Sequence, residues 1–160
     1  MIARRTLMTF AGVALLAAPA MAADTSKAQP ALPIEPLTIV TGDGMRHEFH
    51  VEMALTPDQQ EVGLMFRPTV APDGGMLFDW HQPQQSLMWM HNTVAPLDML
   101  FIEQDGKIGH ITENAVPYSL AIIDGVVPAR ATLEMAAGTA QRLNIRVGDR
   151  VEQRIFGGGG

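Results

Sequence analysis

The sequence predicts a mainly β domain, a sandwich or small barrel that carries one short helix. Three observations support this fold class. Roughly seven or eight segments are short and rich in apolar or β-branched residues, which is typical of strands. Turn residues separate these segments at close spacing, as they do in sandwiches and small barrels. A strong helix-start signature occurs near Thr56.

The predicted domain begins with a β-hairpin. Leu37–Thr41 is rich in β-branched residues, and Gly42–Gly44 is a turn signal built around an aspartate. In Met45–Met53, mostly apolar side chains alternate with polar or charged ones. This period of two predicts a strand with one buried face, and it places Glu52 on the wet face.

A short helix is predicted next, over about residues 57–66. Thr56 is a suitable N-cap, Pro57 fits the first helical position, and Gln59 completes a capping box. Apolar residues recur on one side of this segment, and Pro68 ends the helix.

Strands account for most of the remaining domain. Asp105–Gly106 is a hairpin turn signal, Thr139–Leu143 is expected to form a single helical turn, and Gly148–Asp149 turns the chain into the last strand. The strands predicted in this part are Gly75–Phe78, Ser86–His91, Leu97–Ile102, Ile108–Ile111, Ala131–Met135 and Val151–Phe156.

The N-terminus carries the three parts of a signal peptide in their usual order. Arg4 and Arg5 form a positive region, Thr9–Ala18 is apolar and uncharged, and Ala20–Ala22 is a small-x-small cleavage site. The apolar stretch is shorter than the roughly 20 residues that a spanning helix needs. We therefore predict cleavage near Ala22, a periplasmic or secreted location and no stable membrane anchor. The arginine pair leaves both the general secretory and the twin-arginine route open.

These signals divide the chain into four parts. Residues 1–22 are the predicted signal peptide, and residues 23–36, with three prolines among polar residues, are a predicted flexible linker. Residues 37–156 form a single β-sandwich domain, and residues 157–160 form a disordered tail.

Charge and cysteine content limit the partners of the protein. The formal net charge is −6, and loss of the two signal arginines would change it to −8. Such acidity argues against nucleic acid and anionic membrane surfaces, whose phosphates would repel the protein. The chain has no cysteine, so its fold depends on no disulfide and its chemistry on no thiol.

Several short motifs in the predicted domain occur in the order and spacing of one family. They are Gly63–Arg67, Gly75–Phe78, Trp89–Thr93, Pro96–Asp98, Leu133–Glu134 and Gly148–Asp149. On these motifs the chain resembles the domain of unknown function 192 family. The resemblance implies a compact, jelly-roll-like antiparallel β-sandwich, often in exported bacterial proteins, and it implies no established activity. His91 departs from the family pattern, in which a lysine usually follows Trp-Met.

Polar and aromatic residues of these motifs are the candidate ligand-binding residues. A tryptophan beside methionines can floor a hydrophobic pocket, and Asn or Thr at a strand end can line a pocket mouth or hold a turn. The candidates are Arg67, Trp89, Met90, Asn92, Thr93, Asp98 and Glu134.

Arg67, Asp98 and Glu134 have two open interpretations. Arg67 is expected to bind an anionic ligand or to pair with Asp98 or Glu134 and hold the helix to the sheet. Strand alternation puts Glu134 on the face opposite Leu133, so Glu134 need not lie in the core. The three residues form either a binding cluster or a structural ion-pair network.

The preferred functional hypothesis is a binding module for an unknown small ligand or a periplasmic protein. One alternative is a hydrolase or lyase that uses Asp98 and Glu134, and catalysis as such stays open. A second alternative is copper binding by Met88 and Met90, which share a strand face. No cofactor is predicted, and the histidines lack the spacing of a zinc or cupin-type metal site.

Overall fold

The computed structural model describes residues 23–157. The predicted signal peptide and the last three residues of the predicted tail lie outside this range. Within it, no helix is long and apolar enough to cross a membrane. The elements follow one another as β1 (Ile34–Val40), β2 (Arg46–Ala54), α1 (Pro57–Val62), β3 (Gly74–Met88), β4 (Leu97–Ile102), β5 (Ile108–Ala115), β6 (Ile123–Ala136), α2 (Thr139–Arg142), β7 (Arg150–Glu152) and a 3-10 turn (Arg154–Phe156).

The seven strands of residues 23–157 form one curled sheet in the order β5-β4-β6-β3-β2-β1-β7. All neighbours pair antiparallel except β2 and β3, which are parallel. The parallel pair arises because α1 and the turns after it carry the chain back to the middle of β2, where His50 pairs with Gly74 and the two strands then run in the same direction. The predicted mainly β fold class is confirmed.

The curl brings the two edge strands of the sheet together at one end. The amide of Ile108 donates to the carbonyl of Asp149 at 2.8 Å, and the amide of Val151 donates to the carbonyl of Gly106 at 2.7 Å. Lys107 and Arg150 form an isolated antiparallel bridge beside these bonds. These contacts join the two edges of the curled sheet at one end, so the sheet resembles a small barrel and fewer edge backbone groups stay unpaired.

Buried side chains form two clusters on opposite faces of the sheet. The first cluster draws on all seven strands and fills the concave interior, with Phe49, Leu100 and Leu133 among its members. The second lies on the alternate face of β3, β4 and β6 and includes Phe78 and Phe101. Alternation along a strand explains this division, since adjacent side chains point to opposite faces. The central strands are therefore buried on both sides.

Helix α1 is shorter than predicted. The capping box at Thr56 forms as expected, with the Thr56 hydroxyl accepting from the amide of Gln59. The helix nevertheless ends at Val62, because Gly63 takes a positive φ of 50° that does not continue a helix. An added Cβ at Gly63 would stand only 3.0 Å from the ring of Phe78. The residues after Gly63 form turns that pack on the sheet.

Part of the predicted linker belongs to the folded domain, so the domain begins before the boundary predicted at residue 37. Strand β1 begins at Ile34, inside the segment expected to be flexible. The side-chain amide of Gln29 donates to the carbonyls of Gln59 at 3.0 Å and Gly63 at 2.9 Å. The amide of Leu32 donates to a Glu52 carboxyl oxygen at 2.7 Å. These bonds fasten the segment across the end of α1.

Two long strands replace several shorter predicted ones. Gly75–Phe78 and the first half of Ser86–His91 belong to β3, which continues through an irregular stretch near His81. The first half of β6, before Ala129, was not predicted as a strand because Gly125 and Pro128 interrupt its pattern. It pairs with the second half of β3. The last predicted strand ends at Glu152 and gives way to the 3-10 turn.

Candidate functional site

Glu134 lies at the centre of the sheet, on the face that carries the second buried cluster. Its register partners are Met76 on β3 and Met99 on β4, both fully buried. Alternation from Leu133 was correctly interpreted, but Glu134 is only 4% exposed and does lie in the core. Alternation left the burial of Glu134 open, and it is buried because turns following α1 and β3 cover this face as well.

A narrow cleft opens above Glu134, between the end of α1 and the segment that follows β3. Its volume is about 30 Å³. We call it the Glu134 cleft, and its lining residues are Gln60–Met65, Phe78, Met88, Trp89, Thr93 and Glu134. Six of these eleven residues have apolar side chains, and Gln60, Glu61 and Thr93 add polar groups to the lining beside Glu134.

The carboxyl group of Glu134 has no hydrogen-bond partner among residues 23–157. Burial alone raises its pKa from 4.5 to about 8. The physical cause is the cost of moving a negative charge out of water when no cation or donor compensates it. The group is therefore mostly protonated at neutral pH, and it can then donate one hydrogen bond and accept others.

Arg67 is engaged away from the cleft. Its guanidinium forms a two-pronged ion pair with Glu52 on β2, in which Nη1 contacts Oε1 and Nη2 lies 3.0 Å from Oε2. The two side chains are 20% and 14% exposed. The expected pairing of Arg67 with Asp98 or Glu134 is therefore wrong. Because strand alternation places Glu52 on the solvent-facing side of its strand, the sequence did not indicate Glu52 as the partner of Arg67.

Asp98 holds backbone rather than a ligand. It is fully buried, and its carboxylate accepts from the amides of Asn114 at 2.9 Å, Gly138 at 3.1 Å and Ala140 at 2.9 Å. Asp98 is paired in register with Met135, so it points to the face opposite Glu134. Asp98 and Glu134 therefore do not converge on one catalytic space.

Two of the four candidates after β3 reach the cleft. Trp89 is 44% exposed at its mouth, and its ring lies 4.8 Å from that of His91. Thr93 lines the cleft and donates to the carbonyl of His91 at 3.2 Å. Met90 is fully buried and does not line the cleft.

Asn92 joins two turns instead of facing a pocket. It has a positive φ of 53°, a conformation that asparagine tolerates better than most residues. Its carbonyl accepts from the amide of Phe66 at 2.9 Å, and its side-chain amide donates to the carbonyl of Thr25 at 3.3 Å. Asn92 thus ties the turn after β3 to the turn after α1 and to the N-terminal segment.

Met65, Met88 and Phe78 are cleft residues that the candidate list omitted. All three are apolar and buried, so nothing in the local pattern distinguishes them from core residues. The sequence signal that could have identified these cleft residues is their position in the family motifs. The stretches Gly63–Arg67, Gly75–Phe78, Trp89–Thr93 and Leu133–Glu134 all contribute to the cleft.

The described residues contain no group of three or more histidines, cysteines, aspartates or glutamates that could hold a metal ion. A site built from carboxylates and imidazoles alone, as zinc and calcium use, is thus absent from residues 23–157.

A family model described as "Uncharacterized ACR" matches residues 38–153. The chain belongs to the domain of unknown function 192 family. The match spans the barrel from β1 to the residue after β7 and contains every motif residue that surrounds the Glu134 cleft. No curated protein matches the sequence.

Two crystal structures of family-like proteins are similar to this barrel. One, from Sinorhizobium meliloti 1021, is described as a "putative transcription regulator"; it is 47% identical, with a TM-score of 0.77 over 79% of this chain and 98% of that one. The other is a protein of unknown function from Novosphingobium aromaticivorans DSM 12444, 37% identical, with a TM-score of 0.73 over 84% of this chain and 100% of that one.

Proposed function

We propose that this family member is a ligand- or partner-binding accessory module that works through the Glu134 cleft. The observation that carries the proposal is the carboxyl group of Glu134, which is buried among apolar side chains with no partner among the described residues. An unpaired buried polar group costs free energy. A ligand recovers that cost by exchanging a hydrogen bond with the neutral acid or by bringing a positive charge to the carboxylate.

The size of the cleft limits what enters it. A volume of about 30 Å³ admits an ion, one or two water molecules or the small end group of a larger molecule. Trp89 stands at the mouth with almost half of its surface exposed, and it offers a rigid apolar contact to whatever extends outside. The proposed ligand is thus either very small or inserts only a small end.

The hydrolase or lyase hypothesis is the weaker one. It requires Asp98 and Glu134 to act on one substrate, yet they point to opposite faces of the sheet. The carboxylate of Asp98 also accepts hydrogen bonds from three backbone amides. A binding role requires only Glu134 and the other residues that line its cleft.

We also propose that the module works in the periplasm or outside the cell, after cleavage near Ala22. The three-part N-terminal pattern supports this location. The acidity of the chain supports a partner that is not nucleic acid, although the similar Sinorhizobium meliloti protein is described as a "putative transcription regulator". A small periplasmic molecule or a periplasmic protein remains the proposed partner.

Native mass spectrometry of the protein, purified from the periplasm of its own organism, tests the binding role. We expect a co-purified mass on the wild type, and we expect Glu134→Gln to reduce the occupied fraction at least tenfold. Glu113→Gln is the matched control, because Glu113 is exposed on β5, outside the cleft. A wild type without any bound mass, or a Glu134→Gln variant as fully occupied as the wild type, refutes the proposal.

A further inference from the structure

Two methionines line the cleft together with Glu134. Met65 comes from the turn after α1, and Met88 is the last residue of β3. Their side chains are buried, with 3% and 8% of each residue exposed. The lining therefore includes two thioether side chains and the buried carboxyl group of Glu134 around a space of about 30 Å³, with Gln60, Glu61 and Thr93 as its other polar side chains.

We propose that the Glu134 cleft binds a single cuprous ion, held by the sulfur atoms of Met65 and Met88 and by the carboxylate of Glu134. Binding of the ion displaces the proton of the neutral acid, which is released to solvent. This inference rests on the proposed binding function and names its ligand. It differs from the sequence-based copper hypothesis in two ligands: Met65 lines the cleft and replaces Met90, which is buried outside it, and Glu134 is added.

The donor set selects a soft monovalent ion over the alternatives. Thioethers favour cuprous copper and similar soft ions, while calcium and magnesium require about six oxygen ligands. A monovalent cation and one carboxylate together carry no net charge, so the pair suits an apolar cleft better than a divalent ion would. An organic ammonium ion requires strong hydrogen-bond acceptors, and thioether sulfur is only a weak acceptor.

Trp89 adds an aromatic wall to this site. Trp89 lines the cleft, and an indole face attracts a cation within about 6 Å. A bound soft ion near this ring is also expected to quench its fluorescence, which makes binding visible. The only other tryptophan, Trp80, donates a hydrogen bond to Thr132 at 3.1 Å and does not line the cleft.

Titration of the purified, metal-free protein with silver nitrate tests the proposal, because silver is a stable probe with the same donor preference. We expect one silver ion per chain by native mass spectrometry and calorimetry, with quenching that Trp89→Phe abolishes. Met65→Leu, Met88→Leu and Glu134→Gln are each expected to weaken binding at least tenfold. Met45→Leu, at a methionine that is 58% exposed and outside the cleft, is expected to bind silver as the wild type does.

A direct measurement guards against variants that fail to fold. Crystals of the wild type soaked in silver nitrate are expected to show an anomalous scattering peak between Met65, Met88 and Glu134. Anaerobic titration with cuprous copper against a competing chelator then confirms the native ion. Absence of stoichiometric silver binding, or a peak elsewhere, overturns the inference and leaves the cleft to water or to another ligand.

The outcomes separate this inference from the proposed function. A co-purified organic mass that disappears in Glu134→Gln, together with no silver binding, refutes the metal and retains the binding module. No co-purified mass and no silver binding refute both. Silver binding that requires Met65, Met88 and Glu134 supports both.

Discussion

A buried carboxyl group makes the stability of a protein depend on pH. Glu134 keeps its proton up to about pH 8 in the folded protein, while an unfolded chain releases it near pH 4.5. Between these values the folded state binds more protons than the unfolded state, so the free energy of unfolding falls as pH rises. Glu61, the other titratable residue that lines the cleft, is exposed.

Replacing Glu134 by glutamine is therefore expected to remove this pH dependence in the metal-free protein. Across pH 4.5 to 8 the wild type is expected to lose up to about 1.4 kcal/mol of stability per pH unit relative to Glu134→Gln. Urea unfolding at several pH values measures the difference. Glu113→Gln should follow the wild type, and parallel curves for the wild type and Glu134→Gln would contradict the prediction.

Asp98 gives a second prediction at the residue scale. Asp98→Ala leaves three backbone amides without their acceptor, two of them partly buried and that of Ala140 buried, so we expect a loss of about 3 kcal/mol in the free energy of unfolding. Asp73→Ala, at an exposed carboxylate, should change stability by less than about 0.5 kcal/mol. Chemical denaturation measures both. Equal stabilities would show that Asp98 is not the structural anchor described above.

Among the elements, β3 and β6 form the pair that carries the site. Gly75 on β3 approaches β6 so closely that an added Cβ would collide with the backbone carbonyl of Glu134. Backbone cannot move aside as a flexible side chain does. The glycine thus permits the strand spacing that positions Met76 beside Glu134.

Gly75→Ala is expected to lower the free energy of unfolding by about 3 kcal/mol or to prevent folding, because the collision forces the two strands apart. Gly42→Ala is the matched control. Its Cβ would stand 3.7 Å from a carboxyl oxygen of Asp149, which is an ordinary contact. Thermal unfolding of both variants provides the comparison, and a Gly75→Ala protein as stable as Gly42→Ala would refute this account of the close approach.

At the scale of the whole molecule, a single curled sheet forms the described domain. Its concave side encloses one buried cluster, and its outer side carries the second. The edges of the sheet meet through Gly106, Ile108 and Val151, and the interior takes side chains from every strand. The N-terminal segment crosses the end of α1 and is held there by Gln29. In the exported protein this segment would start at the new N-terminus and lie next to the site.

Export is the prediction that belongs to this scale. Protein isolated from the periplasm is expected to begin at Ala23, as N-terminal sequencing would show. Ala22→Tyr should block processing, because signal peptidase accepts only small residues at that position, while Met21→Leu, between the two small residues, should be processed normally. Accumulation of unprocessed wild-type protein in the cytoplasm would contradict both the signal peptide and the proposed location.

Local sequence patterns determined the class of the fold, the start of α1, the family and the alternation that separates Leu133 from Glu134. Each of these depends on residues close together in the chain: a capping box spans Thr56 to Gln59, and strand faces follow from a period of two. The motifs also marked the neighbourhood of the site, since four of them surround the cleft.

Only the tertiary structure decided the partners of the charged residues. Arg67 pairs with Glu52 rather than with Asp98 or Glu134, Asp98 binds backbone amides, and Glu134 faces a cleft without a partner. These outcomes depend on which strands become neighbours, and on the parallel pairing of β2 with β3. Contacts between residues distant in the chain are set by how the sheet as a whole buries its apolar surface, and no local spacing encodes that choice.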